Sequence, residues 1–238
     1  MAFKRIPSPV AHVFLDFDYT LVPEESTIQI LQYALEHHPG ASHIKTLIKK
    51  MGPKTSADQI EGSEIWTLVK AATYLRWKHV QRYVEKIKLE IHPFVPALFE
   101  QLHAKSIQTY ILSAAFKEWI QPIALQWGVE GQYVMANRFV WFGNRSLAYR
   151  PSTLLMKGKS NYLKTWLPQS QIQGPVIMVG DSTSDYKVYQ KGLAQAFISA
   201  DYYTPKPLDS SIMPSETIKR VERPEDLLEQ IMMALEAI

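Results

Sequence analysis

Two stretches of this chain place aspartates where short apolar runs end. The first is Asp16-Phe17-Asp18-Tyr19-Thr20, directly after Val13-Phe14-Leu15. The second is Gly180-Asp181-Ser182-Thr183-Ser184-Asp185, directly after Val176-Ile177-Met178-Val179. Carboxylates at i and i+2 after a strand can both face one pocket when the second lies in the loop just past the strand. In apolar surroundings such a pair is costly unless a cation compensates it. Mg²⁺ suits the pair, because it takes hard oxygen ligands and shares them with phosphate. Asp181 and Asp185 offer two further acids for the same metal site. Each run also has an ordinary structural explanation. Asp16 and Asp18 fit a turn or capping pair, and the second run fits a helix N-cap with an acid in its first turn. Ser113 closes a third apolar run, residues 107–112, and can donate to a phosphate oxygen. Lys159 can neutralise phosphate charge and hold the Asp16 carboxylate. Either residue alone says little.

The elements that must position these residues follow from apolar patterning. Residues 10–17 read as a buried parallel strand ending in acid. Pro23, Glu24, Glu25 and Ser26 mark a helix start, and helical stretches follow at 42–51, 56–77 and 78–89 with no strand signal before residue 92. Beyond His92-Pro93, helices at 95–105, 116–127, 159–167, 185–191 and 225–235 alternate with strands at 107–112, 176–179 and 196–199. Segments 134–141 and 147–149 flank Gly143-Asn144 as a hairpin. Residues 204–214, rich in Pro and Ser, read as a surface loop. The pattern predicts an α/β fold, a Rossmann-like parallel sheet with helices on both faces, carrying an inserted all-helical segment. The core is expected over residues 1–21 and 93–238, and the helical insertion over 22–92. In an open α/β sheet ligands bind at the carboxyl ends of the strands. Residues far apart in sequence therefore converge on one edge.

The bulk properties are those of a soluble globular chain. Of 238 residues, 46% are hydrophobic and 21% charged, with a net charge of +3. That length suits one large domain, or one domain with a smaller insertion. No apolar run approaches the ~20 residues needed to span a bilayer, so no membrane is expected. The N-terminal apolar run is short and broken by Asp16 and Asp18, unlike a signal peptide. Cysteine is absent, which removes disulfides, thiolate zinc sites and cysteine nucleophiles, and fits a cytoplasmic location. The small positive charge fits either attraction of an anionic substrate or a surface slightly rich in lysine. No run of five or six like charges and no nucleic-acid motif occur, so no nucleic-acid partner is expected. The seven histidines are scattered without metal-ligand spacing. A homodimer is compatible with the chain.

Taken together and in order, the strand with Asp16-Phe17-Asp18-Tyr19-Thr20, the strand with Ser113, the lysine opening a helix, and the strand with Gly180 to Asp185 resemble the haloacid dehalogenase superfamily of phosphohydrolases. The resemblance covers nearly the whole chain and implies a Mg²⁺-dependent phosphatase acting on a small phosphorylated metabolite. It assigns Asp16 as the nucleophile that forms an aspartyl-phosphate. Asp18 becomes the acid that protonates the leaving alcohol and then the base that deprotonates water, with its backbone carbonyl on the metal. Thr20 would hold the loop, and Ser113 and Lys159 would bind the phosphoryl oxygens, with Lys157 as an alternative to Lys159. Asp181 would be a metal ligand and Asp185 a ligand or its support. A phosphotransferase, or a non-catalytic phosphoester-binding protein of the same fold, are the alternatives.

The helical residues 22–92 are similar to the cap of the phosphoserine phosphatase-like branch. The first motif followed by Glu25 resembles that branch's substrate-binding glutamate. Ser113-Ala114-Ala115-Phe116 and Ala136-Asn137-Arg138 resemble two further segments of it. Three departures touch the substrate pocket. Tyr19 replaces a serine, Ala114-Ala115 replaces a glycine pair and so narrows the site, and Ser184 replaces an asparagine. Leu68 stands near the place of a cap arginine, with Lys70 and Arg76 as imperfect substitutes, which argues against L-phosphoserine as substrate. The Gly180 to Asp185 motif followed by Ala200-Asp201-Tyr202 is also similar to methylthiopentenyl-phosphate and phosphocholine phosphatases of the branch. Trp66, Tyr74 and Trp77 either cover an apolar or quaternary-ammonium group or form bundle core.

Overall fold

A computed structural model of the chain describes residues 11–36, 38–50, 62–150, 153–170, 172–205, 207–209 and 218–238. In chain order the first half comprises β1 (Ala11–Leu15), α1 (Ser26–Leu35), α2 (Ser42–Lys50), α3 (Gly62–Ala72), α4 (Trp77–Glu90), α5 (Phe94–Ala104), β2 (Ile107–Phe116) and α6 (Lys117–Ala124). The second half comprises β3 (Val134–Phe142), β4 (Arg145–Arg150), α7 (Thr153–Ser170), β5 (Val176–Gly180), α8 (Thr183–Gln190), β6 (Ala196–Ala200), β7 (Lys219–Val221) and α9 (Leu227–Glu236).

The strands form one seven-stranded sheet in the order β4-β3-β2-β1-β5-β6-β7. All neighbours are parallel except the β3–β4 hairpin. Strand β1 is central and buried throughout, which explains its apolar run Val13-Phe14-Leu15. Successive side chains alternate between two apolar clusters. Val13, Leu15, Ile111, Ile177 and Val179 join one; Phe14, Tyr110, Leu112, Val176 and Met178 join the other. Helices α5, α6 and α9 cover the first face through Val95, Trp119, Ile120 and Ile231. Helices α7 and α8 cover the second through Leu163, Tyr186 and Val188. The expected doubly covered parallel sheet is therefore present. The apolar side chains of α1–α4, among them Leu31, Leu35, Ala71, Val80 and Tyr83, continue the first cluster without a break.

Several boundaries differ from the sequence expectation. The helix expected over 56–77 ends at Ala72, its first part lying outside the described residues. The cause is Arg76, whose extended backbone (φ −127°, ψ 153°) starts α4, while its guanidinium donates to the carbonyls of Thr73 and Leu75 at 3.1 and 3.0 Å. Strand β2 runs past Ser113 to Phe116. Strand β7, a Lys-Arg-Val triplet with no apolar signature, exists through its pairing with β6. Most of the loop expected over 204–214 lies outside the described residues.

One buried polar contact joins α6 to the start of α1. The Trp119 indole N–H donates to Ser26 Oγ at 2.9 Å, and both residues are shut off from solvent. Trp119→Phe keeps most of the packing but strips that hydroxyl of a buried partner, so urea unfolding is expected to show a loss of about 1–3 kcal/mol. A variant as stable as the parent would show that the contact contributes nothing.

Candidate active site

The strand register builds the site. Leu15 lies opposite Ile111 on one side and Val179 on the other. Asp16 after β1, Ser113 in the irregular part of β2 and Gly180-Asp181 at the end of β5 therefore lie at the same carboxyl edge of the sheet. The Asp16 N–H donates to the Val179 carbonyl at 2.9 Å, so the first acid is still tied to the sheet. Phe17 turns into the core and is fully buried. Its carbonyl accepts the N–H groups of Leu21 and Val22 at 2.9 and 3.1 Å, closing a tight turn. Tyr19 pays for that turn with a left-handed backbone, φ 53°. The tyrosine ring is half-buried, and burial among Glu25, Asp18 and Asp181 pushes its phenol well above the usual range.

Lys159 is the cation at the centre. Its ammonium lies 2.7 Å from Asp16 Oδ2 and 2.6 Å from Asp185 Oδ1, with only 4% of the residue exposed. Burial alone would discharge it, but the two carboxylates more than offset this and hold it protonated. Helix α7 breaks at Gly158 (φ 74°), so Lys159 opens the second helical segment, as the sequence suggested. The Lys157 side chain lies outside the described residues.

Each acid has its own seat. Asp16 Oδ1 accepts the Phe17 N–H at 2.7 Å. Asp18 Oδ1 accepts the Ser26 N–H at 3.1 Å, and its carboxyl also hydrogen-bonds Ser26 Oγ and the Glu25 carboxyl. Asp185 Oδ2 accepts the N–H of Ser182 at 3.2 Å and its hydroxyl at 2.6 Å, while Oδ1 accepts from Lys159. Both its oxygens are thus engaged, which supports the loop. The same carboxyl lies over Gly180, where a Cβ would fall 2.2 Å from Asp185 Cγ. Only glycine fits there. Asp181 accepts from the Thr204 side chain. Ser184 is 7% exposed, with its hydroxyl 2.9 Å from that of Ser182.

Burial pushes the carboxyls of Asp16, Asp18, Glu25, Asp181 and Asp185 upward, those of Asp18 and Asp185 to about 6. Four of them, Asp16, Asp18, Asp181 and Asp185, are also acted on by the charge of the Lys159 ammonium. Oxygens of Asp16, Asp181 and Asp185 lie within 4.8 Å of one another, so three carboxylates can meet one ion. An excess of hard oxygen donors with uncompensated charge fits a hard divalent cation such as Mg²⁺. The Asp18 side chain faces Ser26 and Glu25 instead.

Other residues singled out from sequence fall as follows. Ser113 is buried, and its Oγ accepts the Ala115 N–H at 3.1 Å. Ala114 is half-buried. The Thr20 hydroxyl is buried without a partner among the described residues, while its carbonyl accepts from Tyr202 Oη at 2.8 Å. Leu68 packs against the apolar cluster, Lys70 is exposed, and the Arg76 guanidinium is spent on turn carbonyls. Trp66 is 68% exposed, Tyr74 packs on the core, and Trp77 packs edge-on against Trp141. Sequence reasoning read Ser26 only as a helix cap and missed Thr204. Thr204 reaches the site across a loop, so no local pattern marks it.

The profile of the haloacid dehalogenase-like hydrolases matches residues 13–190, which includes all four motifs. The chain belongs to the haloacid dehalogenase-like hydrolase family. A chloroplastic phosphoserine phosphatase of Arabidopsis thaliana is 26% identical over 123 residues, 50% of this chain and 41% of that enzyme. The match thus spans less than half of that relative. The fold is similar to a phosphoserine phosphohydrolase-like protein from Francisella tularensis, at TM-score 0.74 and 22% identity, covering 93% of this chain and 100% of that one. It is also similar to a phosphoserine phosphatase solved as a phospho-aspartyl intermediate analogue, at TM-score 0.63 and 18% identity, covering 95% and 99%. Among the described residues no helix is long and apolar enough to cross a membrane.

The raised acids define a pH test. Asp18 and Asp185 move from 3.8 to about 6 on folding, so the metal-free folded state binds more protons than the unfolded chain between those values. Its stability from this source is present at low pH and is lost as pH rises through about 6. A bound cation offsets that loss. The rise in melting temperature on adding Mg²⁺ to EDTA-treated protein is therefore expected to be larger at pH 8 than at pH 5. Equal shifts at both values would contradict a cation seated among these carboxylates.

Proposed function

We propose that this chain is a Mg²⁺-dependent phosphomonoester phosphatase that works through an aspartyl-phosphate on Asp16. The reading rests on one observation above all: the Asp16 carboxylate is held at both oxygens, by Lys159 at 2.7 Å and the Phe17 N–H at 2.7 Å, inside a buried acid cluster. A fixed carboxylate loses little further freedom on reaching an attack geometry.

In this reading one Asp16 oxygen attacks phosphorus as the bond to the ester oxygen breaks. Asp18 gives its proton to the departing oxygen. Its pKa of about 6, set by burial and tempered by the hydrogen bonds from Ser26, keeps a protonated fraction near neutral pH. The Asp18 carboxylate then takes a proton from water as that water attacks phosphorus, which frees Asp16 and releases phosphate. Lys159 and Ser113 receive the phosphoryl oxygens. Asp16, Asp181 and the Asp18 carbonyl would hold Mg²⁺, supported by Asp185; the ion neutralises carboxylate and phosphoryl charge when bound.

Residues 22–92 form the helical cap in this proposal, with Glu25 and Tyr19 at the leaving-group end of the pocket beside Ala114 and Ser184. Glu25 has acids as its charged neighbours, Asp18 first among them. That end therefore favours a small metabolite with a hydrogen-bond donor or cation near the ester over a second anion. The Arg76 guanidinium, engaged on the carbonyls of Thr73 and Leu75, supports the argument against phosphoserine. The proposal keeps the cytoplasmic location expected of a chain without cysteine.

The test is release of phosphate from p-nitrophenyl phosphate with Mg²⁺. EDTA is expected to abolish it and Mg²⁺ to restore it. Asp16→Asn is expected to lower kcat by at least about 10³-fold with the fold intact, since removal of a nucleophile leaves only residual catalysis. An Asp16→Asn protein of undiminished activity would overturn the assignment. Transfer of phosphate to an added alcohol in preference to water would make the chain a phosphotransferase.

A further inference from the structure

The junction of β2 and β3 is irregular at one place, and the irregularity bears on the site. Leu112 pairs with Met135 and Phe116 pairs with Asn137, so β2 has three residues, Ser113, Ala114 and Ala115, where β3 has one, Ala136. The two extra residues push the backbone of β2 out of the ladder at the carboxyl edge. A bulge of this kind leaves backbone groups without ladder partners. The Asn137 side chain takes one of them: its Nδ2 donates to the Ala114 carbonyl. Asn137 is itself fully buried, and its Oδ1 has no partner among the described residues. A buried amide oxygen left unpaired is costly, and an apolar residue would avoid that cost. The donor half of the side chain is what the position uses.

Within the bulge, Ser113 Oγ accepts the Ala115 N–H at 3.1 Å, so the hydroxyl and the loop are locked together. Rotating the Ser113 hydroxyl away would break its bond to the Ala115 N–H, and Ala114 between them is pinned from β3. We infer that Asn137 is a positioning residue for the Ser113–Ala115 bulge, which it holds in the shape that presents Ser113 to the phosphoryl group. The inference rests on the phosphatase reading above. Asn137 acts through Ser113 and touches no reacting atom. Mainly phosphate affinity should depend on it, because the bulge meets the phosphoryl group in substrate and product alike, while Asp16 and Asp18 keep their own supports on β1, Lys159 and Ser26.

The experiment begins with Asp16-dependent hydrolysis by the parent protein; if that fails, the phosphatase reading falls first and separately. Given it, Asn137→Ala is expected to weaken inhibition by inorganic phosphate and to raise KM for p-nitrophenyl phosphate by about ten- to a hundredfold, the range a misplaced contact costs, with a smaller change in kcat. Asn137→Leu keeps nearly the size but carries no donor for the Ala114 carbonyl, and should lose at least as much. The decisive comparison is with Ser113→Ala. The double variant Ser113→Ala/Asn137→Ala is expected to bind phosphate no worse than Ser113→Ala alone, because one residue acts through the other. Additive losses, or an Asn137→Ala protein with lowered melting temperature but parental phosphate affinity, would overturn the inference and leave Asn137 a packing residue. Should Asn137→Ala not fold, Asn137→Ser serves: its shorter arm cannot reach the Ala114 carbonyl, so the same loss is expected and parental affinity overturns the inference.

Discussion

The ammonium group of Lys159 lies between the carboxylates of Asp16 and Asp185 at 2.7 and 2.6 Å, almost wholly removed from water. Much of the site depends on it. Taking so many acids out of solvent is unfavourable, and each responds by drawing its proton more tightly. Lys159 works against that tendency at Asp16, the nucleophile of the proposed reaction, and at Asp185, which braces the β5–α8 loop. The remaining negative charge is what a divalent cation is suited to neutralise. This surplus of carboxylates over the Lys159 ammonium is compatible with the proposed metal.

The sheet supplies the rigidity this arrangement needs. Strand β1 is buried on both faces and paired on both edges, so Asp16 leaves a tightly constrained strand. Beyond it the supports change character. The Asp18 loop is tied by the Phe17 carbonyl, by Ser26 at the head of α1 and by Tyr202 on the Thr20 carbonyl. Asp18 is therefore seated partly by the helical segment. Apolar continuity between α1–α4 and the α5–α6 face of the sheet couples the two regions further, and the Trp119–Ser26 contact crosses the same boundary.

Much of the fold was legible. Strands β1, β5 and β6 show as apolar runs because both their faces are covered, and the helices α1, α2, α5 and α9 show by periodicity and by Pro or acid starts. Strand β7 was not legible, since three residues with two charges become a strand only by lying against β6. The break between α3 and α4 was expected at 77/78 and lies earlier, over residues 73–76, because Arg76 is an ordinary helix former; its capping role depends on where its guanidinium finds carbonyls. The extension of β2 past Ser113 was missed for a related reason, since a bulge is defined by its partner strand.

The residue types at four places, Asp16 and Asp18, Ser113, Lys159, and Asp181 with Asp185, were determined by the sequence itself, together with the expectation that apolar strands deliver three of those places to one edge. Local physics suffices there, because strand burial and strand ends are written in neighbouring residues. The tertiary structure alone decided which partner each group meets: that Lys159 bridges two acids, that Asp18 leans on Ser26 and Glu25, and that Asn137 and Thr204 reach across from other elements. Those contacts join residues distant along the chain, where spacing carries no information and only packing brings the atoms within hydrogen-bond reach.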